Sequence, residues 1–191
     1  MTSLFKNKRI LVTGACGTVG AELIRQLLTD PRYKPDEVVG LDNNETELFF
    51  SDQQYLNDAR AKFFIADIRD RDEVTRRMRG IDIVFHAAAH KHVIMCERSP
   101  EQAVLTNIQG VQNVIAAATD NNIERVIFTS SDKAVNPTNV MGTTKLMGER
   151  LMTAANSHKR DQGPIFASTR FGNVLGSSGS VIPIFHNQIA K

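Results

Sequence analysis

The sequence predicts an α/β domain whose core is a doubly wound parallel sheet. Strand-like apolar runs alternate with helix-like segments along all 191 residues, without an internal repeat. A glycine-rich turn follows the first apolar run, and polar motifs follow several later ones. This alternation is typical of parallel strands joined by crossover helices, whose ligands bind beyond the carboxyl ends of the strands. We therefore expect the functional residues at those ends.

The individual elements follow from the apolar pattern. Residues 8–13 have the continuous apolar character of a buried strand, and residues 21–29 place Leu23, Leu27 and Leu28 on one side of a helix. Further strands are predicted at residues 37–41, 62–66, 81–86, 124–130 and 164–170. Further helices are predicted at residues 70–78, 91–96, 100–119 and 140–157. Residues 172–180 are predicted to form a loop, and residues 181–191 to begin another helix.

The turn after the first strand has the spacing Gly14-x-x-Gly17-x-x-Gly20. In Rossmann-type nucleotide-binding domains such glycines allow a sharp turn, close approach to a pyrophosphate and packing of helix on strand. Glycines also occur in ordinary turns. The strand before them, the helix after them and an acidic residue further on favour a dinucleotide site. The residues expected to contact it are Gly14, Cys16, Gly17, Thr18, Val19 and Gly20.

That acidic residue is Asp42, roughly 20 positions beyond the glycines. A carboxylate there accepts both ribose hydroxyls and repels a 2′-phosphate, so NAD is favoured over NADP. The alternative is a surface Asp that starts a turn with Asn43 and Asn44. Asp67 follows another strand, where it either accepts from the adenine amino group or caps the helix predicted at residues 70–78.

Composition excludes several classes of protein. Hydrophobic residues make up 41% of the chain, the net charge is only +2, and the basic and acidic residues are interspersed, which argues against nucleic-acid binding. No apolar run approaches the ~18 residues needed to cross a bilayer, and the N-terminus lacks a signal-peptide core. We expect a soluble cytoplasmic protein. Cys16 and Cys96 form neither a disulfide framework nor a metal-ligand pattern.

Asp132 and Lys133 follow the strand predicted at residues 124–130, and Met141 and Lys145 follow on the next helix. These residues put an acid, a candidate base and a helix-borne lysine within one turn-and-helix unit. Beside a nucleotide-binding glycine loop, this combination favours redox chemistry on a nucleotide sugar. An exposed ion pair at the end of a strand is the alternative interpretation of Asp132 and Lys133.

The motifs together resemble those of the extended short-chain dehydrogenases/reductases, and among them the 4,6-dehydratases of UDP-N-acetylglucosamine. Beside the glycine turn, the matching segments are His86-Ala-Ala-Ala-His-Lys-His-Val93, Thr106-Asn107, Ser130-Ser-Asp-Lys-Ala-Val-Asn-Pro137, Met141-Gly-x-x-Lys145, Arg170-Phe-Gly-Asn-Val174 and Gly176-Ser-x-Gly-Ser180. The resemblance implies NAD and a UDP-sugar as ligands. It also implies an NAD-binding domain at residues 1–171 and the start of a substrate-binding lobe, largely missing from the sequence, at residues 172–191.

Position 141 departs from the broad superfamily pattern. A Tyr normally stands four residues before the lysine, so that the cation lowers the pKa of the phenol on the same helix face. The thioether of Met141 cannot take that proton. Met recurs at this position among the dehydratases that the chain resembles, which implies an active enzyme whose acid–base work lies elsewhere. Lys145 is then expected to hold the nicotinamide ribose.

The resemblance implies three catalytic roles around Ser131, Asp132 and Lys133. Asp132 is expected to collect the O4 proton and pass it to the departing O6, Lys133 to remove the C5 proton, and Ser131 to bond the 4-oxygen. Lys133 has to be neutral for this role, so its pKa, about 10.4 in a free side chain, has to fall by roughly three. Lys145, oxidised nicotinamide and partial burial are the expected causes.

Further residues are assigned to the cofactor and to the substrate. Ala87, Ala88 and Ala89 are expected to let the backbone approach the cofactor, although packing alone explains small residues there. Further cofactor contacts are assigned to Ile68 and Arg170. Substrate contacts are assigned to His90, Lys91, Asn107, Asn173 and Ser180, and Asn107 is also expected to bond backbone near the site. The helices at 100–119 and 140–157 are expected to form a dimeric four-helix bundle, as in the superfamily, although core packing predicts the same pattern.

Two other functions fit part of the pattern. A nucleotide-sugar 4-epimerase or reductase shares the fold and cofactor, but it should keep a Tyr at position 141 and does not need Lys133. If the protein were a non-catalytic NAD-binding regulator, the absence of a Tyr at Met141 would be simple to explain. There would then be no reason for Asp132, Lys133 and Lys145 to occur together at this spacing.

Overall fold

A computed structural model describes residues 4–158, 163–175, 185 and 188–189 of the chain. Six strands within these residues form one parallel sheet in the order β3-β2-β1-β4-β5-β6. The strands are β1 (Arg9–Thr13), β2 (Glu37–Asp42), β3 (Ala61–Ile65), β4 (Ile83–His86), β5 (Arg125–Ser131) and β6 (Ile165–Phe171). The predicted doubly wound sheet is therefore confirmed, and the strand order reverses between β1 and β4.

The helices lie close to their predicted positions, except for the second, which was not predicted. They are α1 (Thr18–Thr29), α2 (Glu45–Gln54), α3 (Arg71–Arg77), α4 (Val93–Arg98), α5 (Pro100–Val104), α6 (Gly110–Asp120) and α7 (Val140–His158). A π-helical turn, Leu105–Gln109, joins α5 to α6, and a 3₁₀ turn, Asp132–Ala134, follows β5. Across the described stretches of the chain, no helix combines the length and apolar character that a membrane span requires.

Helix α2 is absent from the predicted elements because its sequence carries no apolar stripe. Leu48 is its buried residue, whereas Phe49 and Phe50 are exposed. The helix begins instead at a cap, where Asn44 Oδ1 accepts from the backbone N–H of Glu47 at 3.2 Å. Local capping therefore starts a helix that periodicity does not indicate.

Apolar side chains cover both faces of the sheet, because successive residues of a strand point to opposite sides. On one face, Leu11 and Val126 pack with residues of α3, α6 and α7. On the other, Ile10 and Val38 pack with residues of α1 and α2. With both faces covered, the strand ends are held in fixed relative positions.

Two predicted features fall largely outside the described residues. The predicted loop 172–180 is described only as far as Leu175, so Ser180 lies beyond it. Of the helix predicted at 181–191, only residues 185, 188 and 189 are described.

Candidate active site

A cavity of about 930 Å³ opens at the carboxyl ends of the strands. Its volume is in the range of cofactor and small-molecule sites. Most of the predicted site residues line it, namely Gly14, Gly17, Thr18, Val19, Gly20, Asp42, Asp67, Ile68, Ala87, Ala88, Ala89, His90, Lys91, Ser131, Lys133, Met141, Lys145 and Asn173. Cys16, Asn107, Asp132 and Arg170 are not among the lining residues.

The glycine turn lies against the segment that follows β4. Gly14 has a φ of +70°, and a Cβ on it would lie 2.6 Å from the backbone nitrogen of Ala88. A Cβ on Gly20 would lie 2.1 Å from the carbonyl oxygen of Gly14. Helix α1 begins after Gly17, which has no side chain to cap it, and Gly17, Thr18 and Val19 at its start line the cavity. This arrangement suits a pyrophosphate.

Asp42 connects the glycine turn to the start of α2. One carboxylate oxygen accepts from the backbone N–H of Cys16 at 3.0 Å, and the other accepts from that of Asn44 at 3.0 Å. The turn of Asp42 with Asn44 is therefore confirmed, and the ribose contact stays a prediction. Burial and the charge of Asp42 raise the pKa of the Cys16 thiol to about 12. The Cys16 side chain packs against the core and does not line the cavity, so its expected contact with the cofactor stays a prediction.

Asp67 lies in the cavity wall but is held by Arg69. The Arg69 guanidinium contacts the carboxylate at 2.5 Å and, through a hydrogen bond, keeps the pKa of Asp67 below its usual value. Arg69 also donates to Gln102 at 3.1 Å. The alternative role for Asp67 is wrong, because Asp70 caps α3 by accepting from the backbone N–H of Glu73.

His86 lies beside the site but was not among the site residues predicted from the sequence. Its side chain is fully buried at the end of β4, and its Nδ1 lies 2.7 Å from Thr13 Oγ1 at the end of β1. Thr13 Oγ1 in turn accepts from the backbone N–H of Ala88 at 3.3 Å. Burial lowers the pKa of His86 to about 3, so the ring is neutral. Thr13 and His86 therefore hold the backbone in place where the glycine turn meets Ala88.

Asn107 lies beneath the cavity wall, in the π-helical turn, with 2% of its surface exposed. Its Oδ1 accepts from His90 N at 2.8 Å, and its Nδ2 donates to His90 O at 3.0 Å and to Thr144 Oγ1 at 2.9 Å. Thr144 Oγ1 donates to Met141 O at 2.8 Å. The expected backbone bond of Asn107 is confirmed. Because these contacts occupy the amide, the structure places it behind His90 and not against a substrate.

Lys145 and Met141 are both buried on the first turns of α7. Lys145 Nζ donates to Thr129 O at 2.8 Å and lies 4.8 Å from the centre of the Phe128 ring. Burial lowers the pKa of this amine to about 8. Met141, 4% exposed, packs with Cys96 and Ala103, so an apolar wall occupies the place of the usual Tyr.

Asp132 and Lys133 form the ion pair of the alternative interpretation, at the mouth of the cavity. Lys133 Nζ donates to Asp132 Oδ1 at 3.1 Å and to Asn173 Oδ1 at 3.3 Å, with 39% of the lysine side chain exposed. Ser131 Oγ donates to Asp132 Oδ1 at 2.9 Å and accepts from Lys133 N at 3.2 Å. Hydrogen bonds from Ser131 and then Lys133 lower the pKa of Asp132. Only the lysine of this pair lines the cavity.

Arg170 does not reach the cavity. Its guanidinium makes two hydrogen bonds to the carboxylate of Glu149 on α7, at 2.7 and 2.8 Å. The alternation of a strand sends Arg170 to the side of the sheet that carries α7. Its assignment to the cofactor therefore has no support from its position.

The family of the chain follows from comparison with known proteins. The model of the family described as polysaccharide biosynthesis protein matches residues 10–191. The chain belongs to this family.

Two curated relatives carry different activities in their names. A UDP-N-acetylglucosamine 4,6-dehydratase (inverting) of Campylobacter jejuni is 40% identical over 188 residues, covering 98% of this chain and 55% of the relative. A UDP-glucose 4-epimerase of Rickettsia bellii is 41% identical over 196 residues, with coverage of 98% and 55%. The chain therefore spans about half the length of the curated relatives that it matches.

A solved structure shows the same architecture. It is a double mutant of DesIV, a dTDP-glucose 4,6-dehydratase from Streptomyces venezuelae, with NAD and DAU bound. The TM-score is 0.84 at 26% identity, over 95% of this chain and 62% of that one. The matched part of that structure and this chain share one fold.

Proposed function

We propose that the chain provides the NAD site and the acid–base residues of a UDP-N-acetylglucosamine 4,6-dehydratase that serves surface polysaccharide synthesis. The observation that carries this proposal is the lysine at the cavity mouth, Lys133, paired with an acid while position 141 holds a buried thioether. Sugar dehydration needs a base for C5 and an acid for O6, and this pair supplies both. The similarity to the dehydratase of C. jejuni supports the same reaction.

The cavity fits NAD by its shape and its donors. The glycine turn and the start of α1 line the cavity, an arrangement that suits a pyrophosphate. Asp42 and Lys145 both line the cavity. We expect Asp42 to accept from the ribose of the adenosine half and Lys145 to hold the other ribose. NAD bound here would supply the hydride acceptor for oxidation at C4 and the hydride donor for reduction at C6. The structure of DesIV, solved with NAD, supports this assignment.

The protons are moved by the residues of the chain. Asp132 takes the O4 proton while C4 becomes a ketone, and Lys133 then removes the C5 proton, which the neighbouring ketone has acidified. Asp132 passes its proton to O6, which leaves as water as the C5–C6 double bond forms. Lys133 returns its proton to C5 when C6 receives hydride. Both side chains end as they began, and the sugar has lost one water.

The contact between Asp132 and Lys133 couples these steps. At 3.1 Å, the carboxylate stabilises a positive charge on the amine. Once Asp132 has taken the O4 proton it is neutral, and this stabilisation ends. The neutral amine of Lys133, which has to remove the C5 proton, is therefore no longer disfavoured at this stage.

The test is incubation of the full-length protein with UDP-N-acetylglucosamine and NMR analysis of the product. We expect a UDP-4-keto-6-deoxy-N-acetylhexosamine, which shows a C6 methyl signal. A UDP-sugar that keeps O6 would reject the dehydratase function.

One observation favours a second candidate, a UDP-sugar 4-epimerase. The relative with that name in R. bellii is as similar as the dehydratase. Epimerisation needs only one base at O4, a task that Asp132 can perform without Lys133. The same NMR experiment separates the two, because an epimer keeps its C6 hydroxyl.

We also propose that the protein forms a homo-oligomer through α5, α6 and α7, as predicted from the superfamily. Val104, Leu105 and Met147 on this side are exposed apolar residues. Sedimentation of the full-length protein tests this, and a monomer at micromolar concentration would contradict it.

Asp42→Ala is expected to weaken NAD binding by about tenfold to a hundredfold, because it removes charge-assisted hydrogen bonds to the ribose. The preference for NAD over NADP should narrow, since repulsion of the 2′-phosphate is also lost. Fluorescence titration with both dinucleotides measures this. The matched control is Asp52→Ala in the last turn of α2, which changes the charge equally and should leave both affinities unaltered. An Asp42→Ala protein with the parent preference would contradict the ribose assignment.

A further inference from the structure

Gly142 lies at the point where α7 meets the turn that carries Lys133. A Cβ on Gly142 would lie 2.3 Å from the carbonyl oxygen of Lys133, 3.1 Å from its carbonyl carbon and 3.2 Å from Pro137 Cβ. Distances under 3.0 Å are essentially never seen for a real Cβ, so a side chain here must displace its neighbour. The neighbour is backbone, which cannot rotate away as a side chain can.

The turn against Gly142 is fixed at both ends. Ser131 Oγ accepts from Lys133 N at its start, and Val135 N donates to Asp132 O at 3.0 Å. Asn136 has a φ of +49°, a left-handed conformation that Asn tolerates. At the far end, Asn139 Oδ1 accepts from Gly142 N at 2.8 Å. The turn has little freedom to absorb a displacement without moving Lys133.

The helix side of the junction is equally fixed. Lys145 is bonded to Thr129 O on β5, and Thr144 to Asn107 and to Met141 O. The position of Lys133 relative to Met141 and Lys145 therefore depends on the close contact at Gly142. In the proposed reaction Lys133 acts on C5, whereas Lys145 serves the hydride transfer at C4. The contact at Gly142 therefore fixes the distance between the residues that serve these two steps.

We propose that Gly142 is a positioning residue, which keeps the Lys133 turn close enough to α7 for C5 deprotonation to follow C4 oxidation. The inference rests on the proposed dehydratase function. In this proposal Gly142, which has no side chain, holds the residues that act in the two steps at the right distance from each other. The added methyl of Gly142→Ala should push the turn outward by roughly an ångström while leaving the glycine turn and Asp42 in place.

The test uses Gly142→Ala in the full-length protein. We expect kcat for water loss to fall by about tenfold to a hundredfold, since misplacement of about 1 Å can cost that much. KM for the UDP-sugar and Kd for NAD should stay within about twofold of the parent. Because C4 oxidation still occurs, the absorbance of reduced nicotinamide should build up in rapid-mixing experiments. A loss of stability alone slows all steps together and gives no such accumulation.

Gly148→Ala is the matched control on the same helix. Its Cβ would lie 2.8 Å from the Phe128 ring, so it crowds a side chain instead of the Lys133 backbone. It should lower the unfolding midpoint without accumulation of reduced nicotinamide. If Gly142→Ala folds poorly, Asn139→Ala loosens the same junction without added volume and should show the same accumulation.

The outcomes separate the inference from the proposed function. A Gly142→Ala protein with the parent kcat, or with all steps slowed equally, would overturn the positioning role while the dehydratase function stands. A parent protein that releases no water would overturn the function and the inference together.

Discussion

Lys133→Met is expected to lower the rate of water loss from UDP-N-acetylglucosamine by about 10²-fold to 10⁴-fold, the range for removal of a general base. In deuterated solvent the parent should label C5 of the product, because Lys133 removes and returns that proton. The variant should show little label at C5, since its side chain offers no base. Mass spectrometry and NMR of the product measure both effects.

The control for this variant is Lys62→Met on β3, a half-exposed lysine that pairs with Glu37 far from the cavity. It should leave the rate and the C5 label at parent values. Undiminished deuterium at C5 in the Lys133→Met protein would remove Lys133 from the mechanism.

Lys145→Met is expected to abolish activity and yet to raise the free energy of unfolding at pH 7 by about 1 to 2 kcal/mol. Burial lowers the pKa of Lys145 from 10.5 to about 8, so the buried charge costs up to about 3 kcal/mol. The lost hydrogen bond to Thr129 O offsets about 1 kcal/mol of the gain. Met fills a similar volume without a charge. Urea unfolding at several pH values measures the difference.

The pH dependence gives this prediction its sign. The folded pKa of Lys145 is lower than the unfolded one, so between about pH 8 and 10.5 the unfolded chain binds more protons. The stability of the parent should therefore gain from rising pH in this interval, and Lys145→Met should lack that gain. Lys133→Met is the matched control, because its lysine is partly exposed and its removal should give no stabilisation at pH 7. A Lys145→Met protein less stable than the parent would contradict the cost of burial.

The fold and the location of the cleft could be predicted because both depend on local patterns. Apolar runs such as residues 8–13 mark strands, and the alternation of elements places the glycine turn and Lys133 at the same edge of the sheet. Helix α2 escaped prediction because its start depends on one capping bond of Asn44. Periodicity detects burial along an element and not a cap.

Individual contacts could not be predicted because their partners are distant in sequence. Arg170 reaches Glu149 instead of a cofactor, and the amide of Asn107 is taken up by His90 and Thr144. The sequence also placed the required lowering of a lysine pKa at Lys133. Deep burial and a pKa lowered to about 8 occur at Lys145, because Phe128 and Thr129 from β5 enclose its amine. Which lysine is enclosed depends on how α7 crosses the sheet.

The glycines with close neighbours differ in whether a second substitution can compensate for a side chain at their position. A methyl group at position 148 collides with the ring of Phe128, so a smaller residue at 128 can relieve the collision, and the two positions can diverge as a pair. A methyl group at position 14 collides with the main chain at Ala88, which every amino acid shares. No second substitution at 88 can therefore rescue it. A combinatorial library of this domain should recover compensated pairs at 148 and 128, but only glycine at 14.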